Sequence, residues 1–125
     1  MASAIKIGDP ASYERAVRSI RATNGVVAAV PDQEILEAKA VIDASGIGCE
    51  PASAASVAGC RALVAAGTIK PSERVVAVLT GHVLKDPGLL LSYHQEMEPP
   101  PPRANRPVVI DARLDEVKKV LSPKP

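Results

Sequence analysis

Arg74-Val75-Val76-Ala77-Val78-Leu79-Thr80-Gly81 is the stretch on which the fold turns. Residues 75–79 are apolar without a break and rich in β-branched valine, and Gly81 stops the run. A strand with one wet face alternates apolar and polar residues, whereas a continuous run suits a central parallel strand covered on both faces. The segment therefore predicts the middle strand of a layered α/β fold.

Upstream, the pattern repeats. Residues 4–7 could extend as a strand, and Asp9-Pro10 then reads as a helix start, with Asp9 as cap and Pro10 at the first position. Tyr13, Ala16, Val17 and Ile20 form an amphipathic stripe that Asn24-Gly25 terminates. Residues 26–30 form a second apolar run rich in valine. Pro31-Asp32-Gln33-Glu34 then opens a helix through Ile35, Ala38 and Ile42 that ends near Gly46. Pro51 introduces a third helix over 52–66, small or apolar on nearly every face except at Arg61, which predicts burial.

This alternation predicts an α/β fold with an open parallel sheet flanked by helices and joined by right-handed crossovers. Beyond Asp86-Pro87 the regularity weakens. The organisation reads as a main unit over 1–97, a proline-rich spacer over 98–107 built on Pro99-Pro100-Pro101-Pro102, and a closing strand and helix over 108–125. In that last unit residues 108–111 are the strand, Leu114, Val117 and Leu121 mark the helix, and Ser122-Pro123-Lys124-Pro125 follows it.

Composition narrows the function classes. The 125 residues suffice for one domain with a real core but are short for a two-domain enzyme with a buried cleft. Fifteen Lys and Arg against fourteen Asp and Glu leave a formal charge of +1, so no basic footprint points to nucleic acid or an anionic membrane. Tyr13 and Tyr93 are the only aromatic residues of the Phe, Trp and Tyr set, which removes stacking platforms for bases. The apolar runs fall far short of the roughly 20 residues that span a bilayer. The N-terminus lacks a basic region, apolar stretch and cleavage site, so the cytoplasm is the expected compartment. Cys49 and Cys60 lie among small apolar residues without metal or redox spacing, and buried reduced thiols are expected.

In open parallel sheets ligands bind beyond the carboxyl ends of the strands, which here is the position of Thr80 and Gly81. A threonine hydroxyl both donates and accepts, and a glycine permits close approach, a combination suited to a polar heterocycle. On spacing alone the pair also reads as a strand-ending threonine with a turn glycine.

Four blocks carry a family resemblance: residues 4–12 (Ala-Ile-Lys-Ile-Gly-Asp-Pro-Ala-Ser), 32–38 (Asp-Gln-Glu-Ile-Leu-Glu-Ala), 50–56 (Glu-Pro-Ala-Ser-Ala-Ala-Ser) and 78–87 (Val-Leu-Thr-Gly-His-Val-Leu-Lys-Asp-Pro). In this order and spacing the chain resembles the C-terminal region of threonine synthases. The resemblance implies a partial domain of a fold type II pyridoxal-phosphate enzyme, with residues 1–97 as the C-terminal part of that domain. It further implies pyridoxal 5'-phosphate as cofactor and the conversion of O-phospho-L-homoserine and water to L-threonine and phosphate. It assigns the contact to the pyridine nitrogen to the hydroxyl of Thr80, and it sets residues 50–53 at the same end of the cleft with no individual contact assigned to them, a packing role for these small residues being equally open.

No Ser-x-Lys-Asp-Arg-Gly segment stands in these residues for the lysine that holds the cofactor, and no Gly-rich loop stands for its phosphate. The expectation is a fragment inactive alone, whose partners are the missing N-terminal half and, as a homodimer, a second copy. Lys85 reads as structural or solvent-facing, and His82 as a hydrogen-bonded structural residue more than a general base. Other readings stay open: a stand-alone binding or assembly half-module, and a related enzyme such as a threonine dehydratase or one that uses O-phosphoserine.

Overall fold

The computed structural model describes residues 2–122. Among them stand the helices α1 (Tyr13–Ala22), α2 (Asp32–Ala44), α3 (Pro51–Ala65), α4 (Pro87–Leu91) and α5 (Leu114–Leu121). A 3-10 turn at Ser3–Ile5 precedes α1, and a π turn at Ser92–Glu96 prolongs α4.

The core lies between α2 and α3. Ile35, Ala38 and Ile42 recur at helical spacing on α2, and they meet Cys49 and the α3 residues Ala54 and Ala58, with Val30, Ala55, Val57 and Leu79 packed around them. Alanine at both α3 positions lets the helices approach closely. Pro31 and Glu50, both in extended conformation, deliver the chain to the first turns of α2 and α3, and Pro51 sits at the start of α3, where its missing N–H costs nothing. Gly46 follows α2 at φ +80°, a left-handed position that suits glycine. On the outer side Arg61 of α3 reaches Glu34 and Glu37 of α2 at 3.7 and 3.5 Å.

Three expectations need correction. The first helix starts at Tyr13 with Ser12 at the cap position, because the Pro10 carbonyl is taken by a preceding turn that ends on the Tyr13 N–H at 3.0 Å. Residues 3–5 coil into a 3-10 turn instead of opening a strand, held by the Ser3 N–H and hydroxyl, which both donate to Asp86 Oδ2 at 3.0 and 2.5 Å. Third, none of the described residues joins a β-ladder, so the open parallel sheet is not formed among them.

The physical reason for that last difference is pairing. A strand's backbone N–H and C=O groups are satisfied by neighbouring strands, and a parallel strand needs them on each side. Residues 74–80 keep the composition of a buried strand, yet Val76 is 88% and Val78 69% exposed. The same holds for residues 108–111, where Val109 is 90% exposed.

The proline-rich 98–107 segment is more than a spacer. Pro101 is buried, and the Asn105 N–H donates to His94 Nδ1 at 2.9 Å, so the connector folds back on the π turn. α5 forms as its periodicity predicts, although none of its residues is buried. The closing Pro123-Lys124-Pro125 lies outside the described residues, as does Met1.

Candidate functional site

The first turn of α3 and the Thr80-Gly81 corner are tied together by four short polar contacts. Ser53 Oγ accepts from the Thr80 N–H at 3.0 Å and from the Gly81 N–H at 3.1 Å, and it lies 3.0 Å from Thr80 Oγ1. In the other direction, the Glu50 N–H donates to the Gly81 carbonyl at 3.0 Å. Both backbone groups of Gly81 are therefore satisfied by the start of one helix, which fixes where the Thr80 side chain stands.

Glu50 adds a steric reason for the glycine. Its side chain is buried against Gly81, and a Cβ at position 81 would run into the Glu50 carboxyl group. The ammonium of Lys85 stands 3.6 Å from Glu50 Oε2 while most of its side chain remains in solvent. Lys85 thus balances a buried carboxylate, in line with a structural role. His82 Nδ1 accepts the Leu84 N–H at 3.1 Å, which commits that ring nitrogen to the local turn.

Thr80 is itself exposed, and its hydroxyl is held by Ser53. A hydroxyl placed in this way can donate to an acceptor atom without imposing a charge on it. A heterocyclic nitrogen is such an acceptor.

Comparison with known proteins decides which heterocycle is at issue. The family model described as pyridoxal-phosphate dependent enzyme matches residues 1–81, so its last matched position is the glycine of this corner. The chain belongs to the pyridoxal-phosphate dependent enzymes. Among curated relatives, it is 42% identical over 122 residues to the threonine synthase of Methanosarcina acetivorans, covering 97% of this chain and 28% of that protein. It is 46% identical over 93 residues to the threonine synthase of Halalkalibacterium halodurans, covering 74% of this chain and 26% of that one. It is also 34% identical over 122 residues to threonine synthase 2, chloroplastic, of Arabidopsis thaliana, covering 96% and 24%. The resemblance read from the four sequence blocks holds. The chain spans about a quarter of the length of these relatives.

For a pyridoxal-phosphate dependent enzyme the cofactor is pyridoxal phosphate, and the donor set of the corner fits one edge of it. The Thr80 hydroxyl, neutral and backed by Ser53, is a donor of the kind that could meet the pyridine nitrogen. The corner places no group suited to the cofactor's phosphate within these contacts, so the fit is to the ring-nitrogen edge alone.

Sequence reasoning named Thr80 and set residues 50–53 near it, but it did not foresee the Ser53 contacts to Thr80 and Gly81, because a serine in a run of small residues also reads as packing. It also missed a second polar group. Lys39 is 2% exposed and donates to Asp43 Oδ2 at 2.7 Å, and Asp43 Oδ1 is buried without a partner. Asp43 lines a cavity of about 180 Å³ with Ala40, Leu90, His94 and Arg103. Burial lowers the His94 pKa below the ordinary imidazole value, and burial raises that of the Cys49 thiol. The cavity has no lining residue in common with the Ser53–Thr80 corner.

Proposed function

We propose that this chain is the C-terminal part of a threonine synthase, acting in the cytoplasm within a complete enzyme that converts O-phospho-L-homoserine and water to L-threonine and phosphate. The observation that carries the reading is the hydrogen-bonded corner, in which Ser53 holds the Thr80 hydroxyl and the backbone N–H groups of Thr80 and Gly81 at the end of the apolar 74–80 run. Residues 1–97 belong to the cofactor domain in this reading, 98–107 form the connector, and 108–125 form a closing element.

Pyridoxal phosphate, when bound, supplies the electron sink that stabilises carbanions. Thr80 would hold the ring-nitrogen edge, Ser53 would hold Thr80, and Glu50 would brace Gly81 from behind. The lysine and the phosphate loop of the family would come from sequence outside these 125 residues.

The exposed apolar segments agree with this division. Val76, Val78 and Val109 stand in solvent here, and contiguous exposed valines mark surfaces made to be covered. The open parallel sheet would then be completed by strands of the remaining protein laid against residues 74–80, with homodimer formation as a further level of assembly.

The test uses the 125-residue chain supplied with pyridoxal phosphate and O-phospho-L-homoserine. Borohydride reduction followed by mass spectrometry is expected to give no lysine–cofactor adduct, and phosphate release is expected to stay at the level without protein. A trapped adduct together with turnover would show that the chain is sufficient by itself and overturn the reading as a part.

A further inference from the structure

Counting lone pairs and protons at Ser53 determines a direction that the distances alone leave open. A serine hydroxyl has one proton to donate and two lone pairs to accept with. Two backbone donors, the Thr80 and Gly81 N–H groups, already point at Ser53 Oγ from 3.0 and 3.1 Å. Both lone pairs are occupied, so the contact with Thr80 Oγ1 at 3.0 Å has one consistent polarity: Ser53 donates and Thr80 accepts. The proton of Thr80 is thereby turned away from Ser53.

We propose that Ser53 is the positioning residue of the cofactor site, holding the Thr80 hydroxyl so that its proton points away from α3 and is available to an acceptor atom such as an aromatic ring nitrogen. The inference rests on the pyridoxal-phosphate reading of Thr80 given above. It goes beyond that reading by assigning a residue and a proton direction. Were Ser53 absent, the Thr80 hydroxyl would lose the one side-chain contact that fixes its orientation.

Ser53 is suited to the role by its place in the chain. It is 5% exposed and sits on the buried side of the first turn of α3, whose backbone is fixed by Pro51 and by packing of Ala54 and Ala58 into the core. The residue that would be oriented lies 27 positions away on a segment with no ladder of its own. A rigid helix therefore positions a group at the end of a segment that pairs with no other.

Two measurements test this, and they fail separately. In the 125-residue chain, amide hydrogen exchange at Thr80 and Gly81 is compared among the unsubstituted protein, Ser53→Ala, Ser53→Thr and Thr80→Val. Ser53→Ala is expected to speed exchange of both amides by about five- to tenfold while leaving α3 intact, since alanine is a good helix former. Ser53→Thr is expected to restore protection, and Thr80→Val to leave it unchanged, because the two amide bonds need only the hydroxyl at 53. Unchanged exchange in Ser53→Ala would overturn the proposal with no cofactor present.

The second measurement replaces the aligned 122 residues of the Methanosarcina acetivorans threonine synthase with this chain and loads pyridoxal phosphate labelled with 15N in the ring. The ring-nitrogen shift is expected to report a hydrogen-bonded nitrogen in the unsubstituted chimera, to move toward the value of a nitrogen without that bond, as given by Thr80→Val, in Ser53→Ala at the same pH, and to return in Ser53→Thr. An identical shift in Ser53→Ala would overturn the positioning role while leaving the cofactor reading in place. A chimera that folds but takes up no cofactor even with Ser53 intact would overturn the cofactor reading and this inference with it.

Discussion

The Ser53 hydroxyl oxygen lies 3.0 Å from both the amide nitrogen and the hydroxyl of Thr80. One side chain thus holds both the backbone and the side chain of the residue that the family resemblance places against the cofactor ring. Backbone and hydroxyl cannot move independently. Thr80 does not line the cavity beside Asp43 and His94.

Gly81→Ala should destabilise the chain by about 1–3 kcal/mol, read from the denaturant midpoint, because the added methyl must displace the buried Glu50 carboxyl group and so loosen its contact with Lys85. Gly88→Ala provides the contrast. Nothing lies within 4 Å of a Cβ at that helical position, so it should stabilise by about 0.5–1 kcal/mol. Combining Gly81→Ala with Glu50→Ala should cost less than the sum of the two, and additivity would show that Glu50 and Gly81 do not compete for the same space.

The Lys39–Asp43 pair predicts an asymmetry. Lys39 is almost fully buried and Asp43 only partly, so Asp43→Ala leaves an ammonium stranded in the core and should cost about 3 kcal/mol. Adding Lys39→Met removes that charge. The double variant should recover most of the loss in urea unfolding, and a double variant no better than Asp43→Ala would contradict the buried-charge account.

Stability should rise with pH through the range just below neutrality because of His94. Burial is the main cause of its lowered pKa, with Lys39 lowering it further and Asp43 acting in the opposite sense. The unfolded chain therefore binds a proton first, near the ordinary value of about 6.5. Below that value the unfolded state holds more protons than the folded one, so this contribution is fully present above about pH 6.5 and is lost as pH falls toward the lower folded pKa. Protonation of Nδ1 would also cost the bond from the Asn105 N–H. Urea midpoints measured from pH 7.5 to 5 should fall more steeply in the unsubstituted chain than in His94→Gln, and parallel slopes would remove His94 from the account.

Much of the helical framework was legible because its signals are local. The spacing of Ile35, Ala38 and Ile42, the prolines at 31 and 51, and Gly46 after the second helix all act within a turn or two of themselves. α4 and the π turn escaped because Pro87-Gly88 carries turn chemistry that hides a helix start, and His94 is held by Asn105 of the connector, eleven residues away. The 74–80 run announced a strand by composition, but strand pairing belongs to its neighbours as well and cannot be read from one segment. Thr80 was legible through its place at the end of that run and through the family blocks. Ser53 was not, since its significance depends on a partner 27 residues away.

The central claim is that the Thr80 hydroxyl of this chain serves a pyridoxal-phosphate site of a threonine synthase. The most direct measurement is turnover of O-phospho-L-homoserine by the chimera with the Methanosarcina acetivorans enzyme, with and without Thr80→Val. Valine keeps the β-branched shape and removes only the hydroxyl, so the fold should persist. Leaving a polar ring atom without its partner costs about 1–3 kcal/mol, which predicts L-threonine formation or cofactor affinity lowered about ten- to hundredfold in Thr80→Val. A folded chimera that makes no L-threonine, or one whose turnover, cofactor affinity and absorbance are the same with valine at position 80, would contradict the claim.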